Sequence, residues 1–170
     1  MAITKYIGTG AVSSADFKDV SWVGTTKGGN AVTIRLSNAI NMGNLEWTVA
    51  EKSDVVQAIE FQACYDNTDE ASTSTQEPWS IEIDGSVTSG ASEIVLGAGI
   101  FYIGATPVAL TRGGGSFNVE REFREINADG DRGAVKGRVV MESSRAKLTM
   151  NILTMLTRLT DIYSGIEASV

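Results

Sequence analysis

The chain has no histidine, a single cysteine and only two prolines among its 170 residues. Without histidine, and with Cys64 alone, a His/Cys zinc site is excluded and acid–base catalysis loses its usual participant. One cysteine also excludes an intrachain disulfide. Cys64 sits in the alternating run Val55–Tyr65, where a small buried apolar role is expected of it rather than a reactive one. No apolar run approaches the roughly 18 residues of a membrane span. The N-terminal stretch MAITKYIGTG has no signal-peptide core, so no leader is expected. Positive charge is scarce: 14 Lys+Arg against 21 Asp+Glu give a net charge of −7. That balance argues against a surface gripping phosphate backbones and otherwise serves solubility. So few prolines, with balanced polarity, argue against disorder. A hydrophobic content of 42% over this length implies one domain, 1–170, with a sizeable core.

What is present is mostly alternation. Val32, Ile34 and Leu36 alternate with Thr33 and Arg35, and Leu45, Trp47 and Val49 with Glu46 and Thr48. Trp79, Ile81 and Ile83 alternate with Ser80 and Glu82, and Leu148, Met150 and Ile152 with Thr149 and Asn151. Period two with one apolar face predicts a mainly β, antiparallel, two-sheet sandwich or barrel-like body. One segment has the helical period instead. Ile152, Met155, Leu156, Leu159, Ile162 and Tyr163 follow i, i+3, i+4, i+7 spacing, with Gly165 as a stop. This predicts one flanking helix of about three turns over Asn151–Tyr163, packed on a sheet. Ser13–Asp19 reads as a short turn, Asp66–Glu77 as an exposed polar loop, and Gly85–Ser92 as a linker.

The chain also repeats itself weakly. Thr26-Lys27-Gly28-Gly29-Asn30-Ala31-Val32-Thr33-Ile34 aligns without gaps on Thr111-Arg112-Gly113-Gly114-Gly115-Ser116-Phe117-Asn118-Val119, an offset of 85 residues. Excursions containing Ile40-Asn41 and Ile126-Asn127 follow, and then turn-like triplets, Glu51-Lys52-Ser53 and Glu142-Ser143-Ser144. Three matches in one order predict two similar β halves, with hairpins at the glycines and at both triplets.

Loops that invite a catalytic reading do not complete it. Gly8-Thr9-Gly10 lacks the third glycine and the βαβ setting of a dinucleotide loop. Gly113-Gly114-Gly115 lacks the Lys-Ser/Thr of a phosphate loop and reads as a hairpin turn. Asn127–Asp131 begins like a calcium loop, but Arg138 stands where the bidentate glutamate belongs. Asp66, Asp69 and Glu70 read as a solvated loop, and no nucleophile–base pair is visible. No enzyme activity, cofactor or metal is expected.

The charged excursion Arg121–Lys136 is the strongest candidate surface. Arg121, Arg124, Arg132 and Lys136 interleave with Glu120, Glu122, Glu125, Asp129 and Asp131. Read blandly it is a solvated hairpin. Its mixed charge, with Phe123 and Ile126 as apolar anchors, also suits docking on another copy of the same chain. A smaller excursion, Ser37–Asn44, sits in the matching place in the other half.

These residues carry a resemblance. Gly97-Ala98-Gly99 with Ile100–Ile103, followed by TRGGGSFNVEREFREINADGDRGAVKGR, resembles the first half of the major tail (tail tube) proteins of long-tailed bacteriophages and related phage-tail-like particles. GTGAV, DVSWVGTTKGGNAVTIRLSNAINMGNLEW, EKSDVV, YDN and EPWSIEI resemble the second half, so 93–170 and 1–84 together span nearly the whole chain around a linker at 85–92. The resemblance implies hexameric rings stacked into a hollow tube that conducts DNA without binding it specifically. It further implies other tail proteins as partners, no membrane, and a place in a virion tail assembled in the host cytoplasm. The order of the halves departs from the family. Pro78-Trp79-Ser80-Ile81-Glu82-Ile83, which ends the family's proteins, lies mid-chain here, and the helix comes last. That is the order of a circular permutant, engineered or natural, and a permuted chain keeps its fold when the old termini lie close and the new ones open at a surface connection. The competing function is a monomeric β-sandwich module binding a sugar or a protein, with Trp22, Trp47 and Trp79 as a stacking platform.

Overall fold

The computed structural model describes residues 4–46, 54–66, 77–85, 90, 95–108, 110–130, 133, 135–153 and 156–169. The strands are β1 (Lys5–Gly8), β2 (Lys18–Thr26), β3 (Ala31–Asn41), β4 (Gln57–Gln62) and β5 (Trp79–Ile83). They continue with β6 (Val95–Ile103), β7 (Thr106–Pro107), β8 (Thr111–Glu125), β9 (Val139–Ile152) and β10 (Ile166–Ser169), with one helix, α1 (Leu159–Ile162), before the last. All pairings are antiparallel. Eight strands form one sheet along the path β7-β6-β2-β3-β4-β9-β8, with β5 also on β3, and β1 and β10 form a second. The expected mainly β, antiparallel body with a helix near the C-terminus is what forms.

β3 joins two layers. It pairs with β5 over Val32–Leu36 and with β4 at Ile40–Asn41. Asn38 lies between these pairings at φ 48°, a conformation that asparagine tolerates better than most residues. Side chains from both stretches then meet in one core. Val20, Leu36, Phe101 and Ile103 come from one side; Ile59, Phe61, Leu148, Met150 and Ile152 come from the other. The period-two reading holds for Val32, Leu36, Leu148, Met150 and Ile152, all buried, while Ile34, though paired on both sides, is only half-buried. Cys64 is half-buried, its thiol donates to the Gln62 carbonyl at 3.8 Å, and burial pushes that thiol up.

Several expectations need correction. Asn151 and Ile152 close β9, and among the described residues after them helical structure runs from a 3-10 turn, Leu156–Arg158, through α1. Ile152 pairs with Gln57, so the ladder outcompetes the helical period that the same side chain also satisfies. Glu142-Ser143-Ser144 is no turn. Ser143 and Ser144 pair with Glu122 and Arg121, and a register shift at Glu122/Phe123 leaves Glu142 as a bulge. Gly113-Gly114-Gly115 is likewise a bulge inside β8, between Thr111↔Ile152 and Gly115↔Met150, with Gly113 and Gly114 at φ 88° and 75°. Its aligned partner does form a hairpin, Thr26 N–H donating to Asn30 O at 2.9 Å. Glycine pairs serve both geometries, which is why the alignment misled. Ser37–Asn41 completes β3, so the smaller excursion is not a second arm, and Leu45 lies outside any strand. Trp47, Val49, Glu51-Lys52-Ser53 and Met155 lie outside the described residues, as does most of the Asp66–Glu77 loop and of the linker, where Asp84, Gly85 and Gly90 are exposed. The expected turn at Ser13–Asp19 forms as a 3-10 turn, Ser14–Asp16.

Carboxylates tie the C-terminal segment down. Asp161 accepts from Lys18 Nζ at 2.6 Å and from Arg158 at 3.3 Å, while Asp16 accepts the Ser13 and Gly165 backbone N–H groups at 2.6 and 3.3 Å. Burial pushes the Asp161 carboxyl up, but Lys18 and then Arg158 outweigh it and hold it below the usual range. The Ser13 N–H, against a burial effect and helped by Gly165, does the same for Asp16. A carboxyl depressed in the folded state adds stability above its unfolded pKa, and that contribution is lost as pH falls through the folded one. The melting midpoint is therefore expected to drop as pH falls below about 4. Asp161→Asn should flatten that acid slope; an unchanged slope in a pH series of thermal melts would show that the ion pair is not what titrates.

Candidate self-association surface

β8 and β9 stay paired from Gly115↔Met150 to Glu125↔Val139. Their support on the other side ends sooner. β4 pairs with β9 only over Lys147–Ile152, and the Ala63 N–H reaches Ala146 O at 2.9 Å as the last rung. Arg121–Glu125 and Val139–Ser144 therefore leave the body as a two-stranded arm.

Strand alternation fixes what this arm presents. In the body, Phe117, Val119, Ala146 and Leu148 share the face that packs on the core. The same face continues outward with Arg121↔Ser144, Phe123↔Met141 and Glu125↔Val139. Among the described residues nothing covers it there: Phe123 is 60% exposed, Met141 43% and Val139 45%. Ile126 and Val135, at the start and end of the connecting loop, are exposed too, and the Ile126 N–H donates to Arg138 O at 2.8 Å. On the opposite face the charges answer one another. Arg124 Nε bonds Glu142 Oε1, and Ser143 Oγ donates to Glu122 Oε2 at 2.9 Å.

The root of the arm is clamped. Arg121 donates to Glu77 Oε2 at 3.1 Å, and its guanidinium carbon sits 5.7 Å from the Trp79 ring centroid. The Trp79 indole N–H also donates to Glu77, and the indole lies 5.6 Å from the Phe117 ring at 56°. Burial pushes the Glu77 carboxyl up, yet Arg121 and the Trp79 N–H together hold it below the usual range. β5 is thereby fastened to β8 across the two layers.

Of the residues singled out from sequence, Arg121, Phe123 and Glu125 share one face of the arm and Arg124 the other. Ile126, Asp129 and Lys136 are exposed in the loop, while Asp131 and Arg132 lie outside the described residues. Arg121 is a clamp more than a contact. Met141, Val139 and the Glu77–Trp79 root were missed. The signal for the first two was the apolar run Val139-Val140-Met141, obscured by reading the next three residues as a turn. Free edges add to the surface: among the described residues, β8 has no partner beyond β9, β5 none beyond β3, and β6 only the two-residue β7 opposite β2. Trp22 and Trp79 are half-buried and packed on the core, so they form no exposed platform, and Trp47 lies outside the described residues. No protein-family model, curated protein or solved structure matches the chain.

Proposed function

We propose that the chain is a structural subunit of the phage tail-tube type, non-enzymatic, whose copies assemble into hexameric rings stacked as a hollow DNA-conducting tube. The observation that carries this reading is the arm, whose Phe123, Met141 and Val139 extend the core-facing side of the ribbon past the body and stay exposed with no cover among the described residues. A two-stranded ribbon is marginal in water by itself. Burying Phe123, Met141 and Val139 against another copy supplies what the ribbon lacks, and unpaired edges such as that of β8 become joints instead of aggregation hazards. The accessible surface supports this. It is 11479 Å² for an 18.0 kDa chain, where a compact monomer of that mass exposes about 8,000 Å². The excess, roughly 3,400 Å², is of the size that obligate assemblies bury.

The rest of the reading follows from charge and chain order. With a net charge of −7, carboxylates lining the lumen keep passing phosphates from adhering over about one Debye length, ~8 Å. The subunit is a sandwich whose two segments follow the family's halves in permuted order, working in a virion tail assembled in the host cytoplasm beside other tail proteins. Two placements support the permutation. Lys5 pairs with Ser169, so the first and last strands lie side by side, and β5 and β6 flank the β2–β3 hairpin, about 14 Å apart by strand spacing. The old termini would sit there.

Phe123→Asp combined with Met141→Asp is expected to abolish rings and tubes in negative stain and light scattering. The melting midpoint should stay within a few degrees of the parent, because both side chains are already exposed. Charge reversal at Arg124 is the poorer test, since that guanidinium is bound within its own arm. A parent chain that stays monomeric at every concentration would sink the reading and favour a β-sandwich binding module.

A further inference from the structure

We infer that the arm of one copy seats in an apolar groove at the far end of β8 in the next copy, a head-to-tail contact. The inference rests on the reading of the chain as a self-assembling subunit and adds where the arm goes.

The groove, about 470 Å³, opens between the edge of β6 and the bulged start of β8. Its floor is Trp22, Ile34, Phe101, Phe117 and Leu148, and no charged side chain is among the residues that line it. Its walls are nearly bare backbone, Gly97–Gly99 on one side and Gly114–Ser116 on the other. Glycine keeps it so. A Cβ on Gly24 or Gly99 would stand 2.1 or 2.3 Å from the Trp22 indole, which lies across both. The result is an aromatic floor flanked by two strands with unpaired edges. A ribbon entering there can pair with main chain while its apolar face covers the floor.

Three observations select a second copy of this chain as the occupant. The first is reach. Groove and arm lie at opposite ends of β8, Gly115 and Phe123 being about 26 Å apart along the strand, and the arm points away, so no chain's arm reaches its own groove. The second is charge. The groove is uncharged, and the arm's opposite face carries its charges already paired, Arg124 with Glu142; on the seating face Phe123 and Met141 enter while Glu125, at the outer end, stays at the rim in solvent. The third is area, the surplus of surface already noted. A contact between unlike patches propagates into rings or filaments, as an assembling subunit requires.

Mixing two variants tests this. Gly97→Trp blocks the groove and leaves the arm; a Cβ at Gly97 meets nothing within 4 Å, so the backbone there accepts a side chain. Phe123→Asp spoils the arm and leaves the groove. Each variant alone is expected to stay monomeric at concentrations at least about 30-fold above the parent's assembly threshold, as loss of an aromatic anchor implies. Mixed in equal amounts they should form one two-chain complex, by size-exclusion with light scattering, because only one arm–groove contact remains. Circular dichroism melts confirm that both are folded, and Gly97→Leu replaces Gly97→Trp if the latter melts early. If Gly97→Trp assembles like the parent while Phe123→Asp does not, the arm docks elsewhere and this inference fails though the subunit reading stands. If both folded variants stay monomeric when mixed, the inference also fails. A parent that never assembles overturns both.

Discussion

Gly115→Val is expected to lower the melting midpoint by roughly 6–12 °C or to abolish soluble expression, from a cost of about 3 kcal/mol or more. A Cβ at position 115 would stand 2.2 Å from the Thr149 carbonyl oxygen and 2.6 Å from the Phe101 ring. The first neighbour is backbone of the paired strand and cannot rotate away. Relief requires β8 to part from β9 at the Gly115↔Met150 pair, where Met150 is 0% exposed. Gly97→Val is the control, with open space at its Cβ, and should melt within a degree or two of the parent. Equal melting of the two variants would mean that β8 and β9 do not approach as described.

Trp79→Ala is expected to cost about 3 kcal/mol, toward the low end for tryptophan because this indole is only half-buried. Three contacts go with it: the Phe117 ring, the Arg121 guanidinium and the N–H bond to Glu77. Removing the ring also frees the root of the arm, so assembly should weaken more than the stability loss alone implies. Trp79→Phe keeps the ring contacts and loses only the donor, and a drop of about 1 kcal/mol is expected. Thermal melts read the first effect and the assembly threshold the second. If assembly follows stability alone across both variants, the clamp does not orient the arm.

Where two neighbours hold a strand, its sequence was legible. Leu148, Met150 and Ile152 alternate and are buried as their period requires, because β4 and β8 flank β9 there and the core lies on one face. Ile81 and Ile83 alternate as well, yet are 52% and 50% exposed, since among the described residues β5 pairs with β3 alone. Periodicity reports which side chains share a face. It does not report whether anything covers that face. The helix shows a related limit: Ile152 satisfies both periods, and pairing with Gln57 settled it.

For the candidate surface, the sequence by itself determined that Arg121–Lys136 is a charged hairpin with apolar anchors, in a chain lacking histidine and any disulfide. These are matters of composition and local pattern, and local physics suffices for them. Only the tertiary structure decided that β4 stops at Ala146, leaving Phe123, Met141 and Val139 beyond the core, and that Glu77 and Trp79 clamp Arg121 at the root. It alone decided that Gly113–Gly115 bulge beside a groove while Gly28-Gly29 close a hairpin. The reason is physical. Burial, clamping and bulging depend on which distant strands come to lie alongside, and a glycine's freedom or an isoleucine's period fits more than one such neighbourhood.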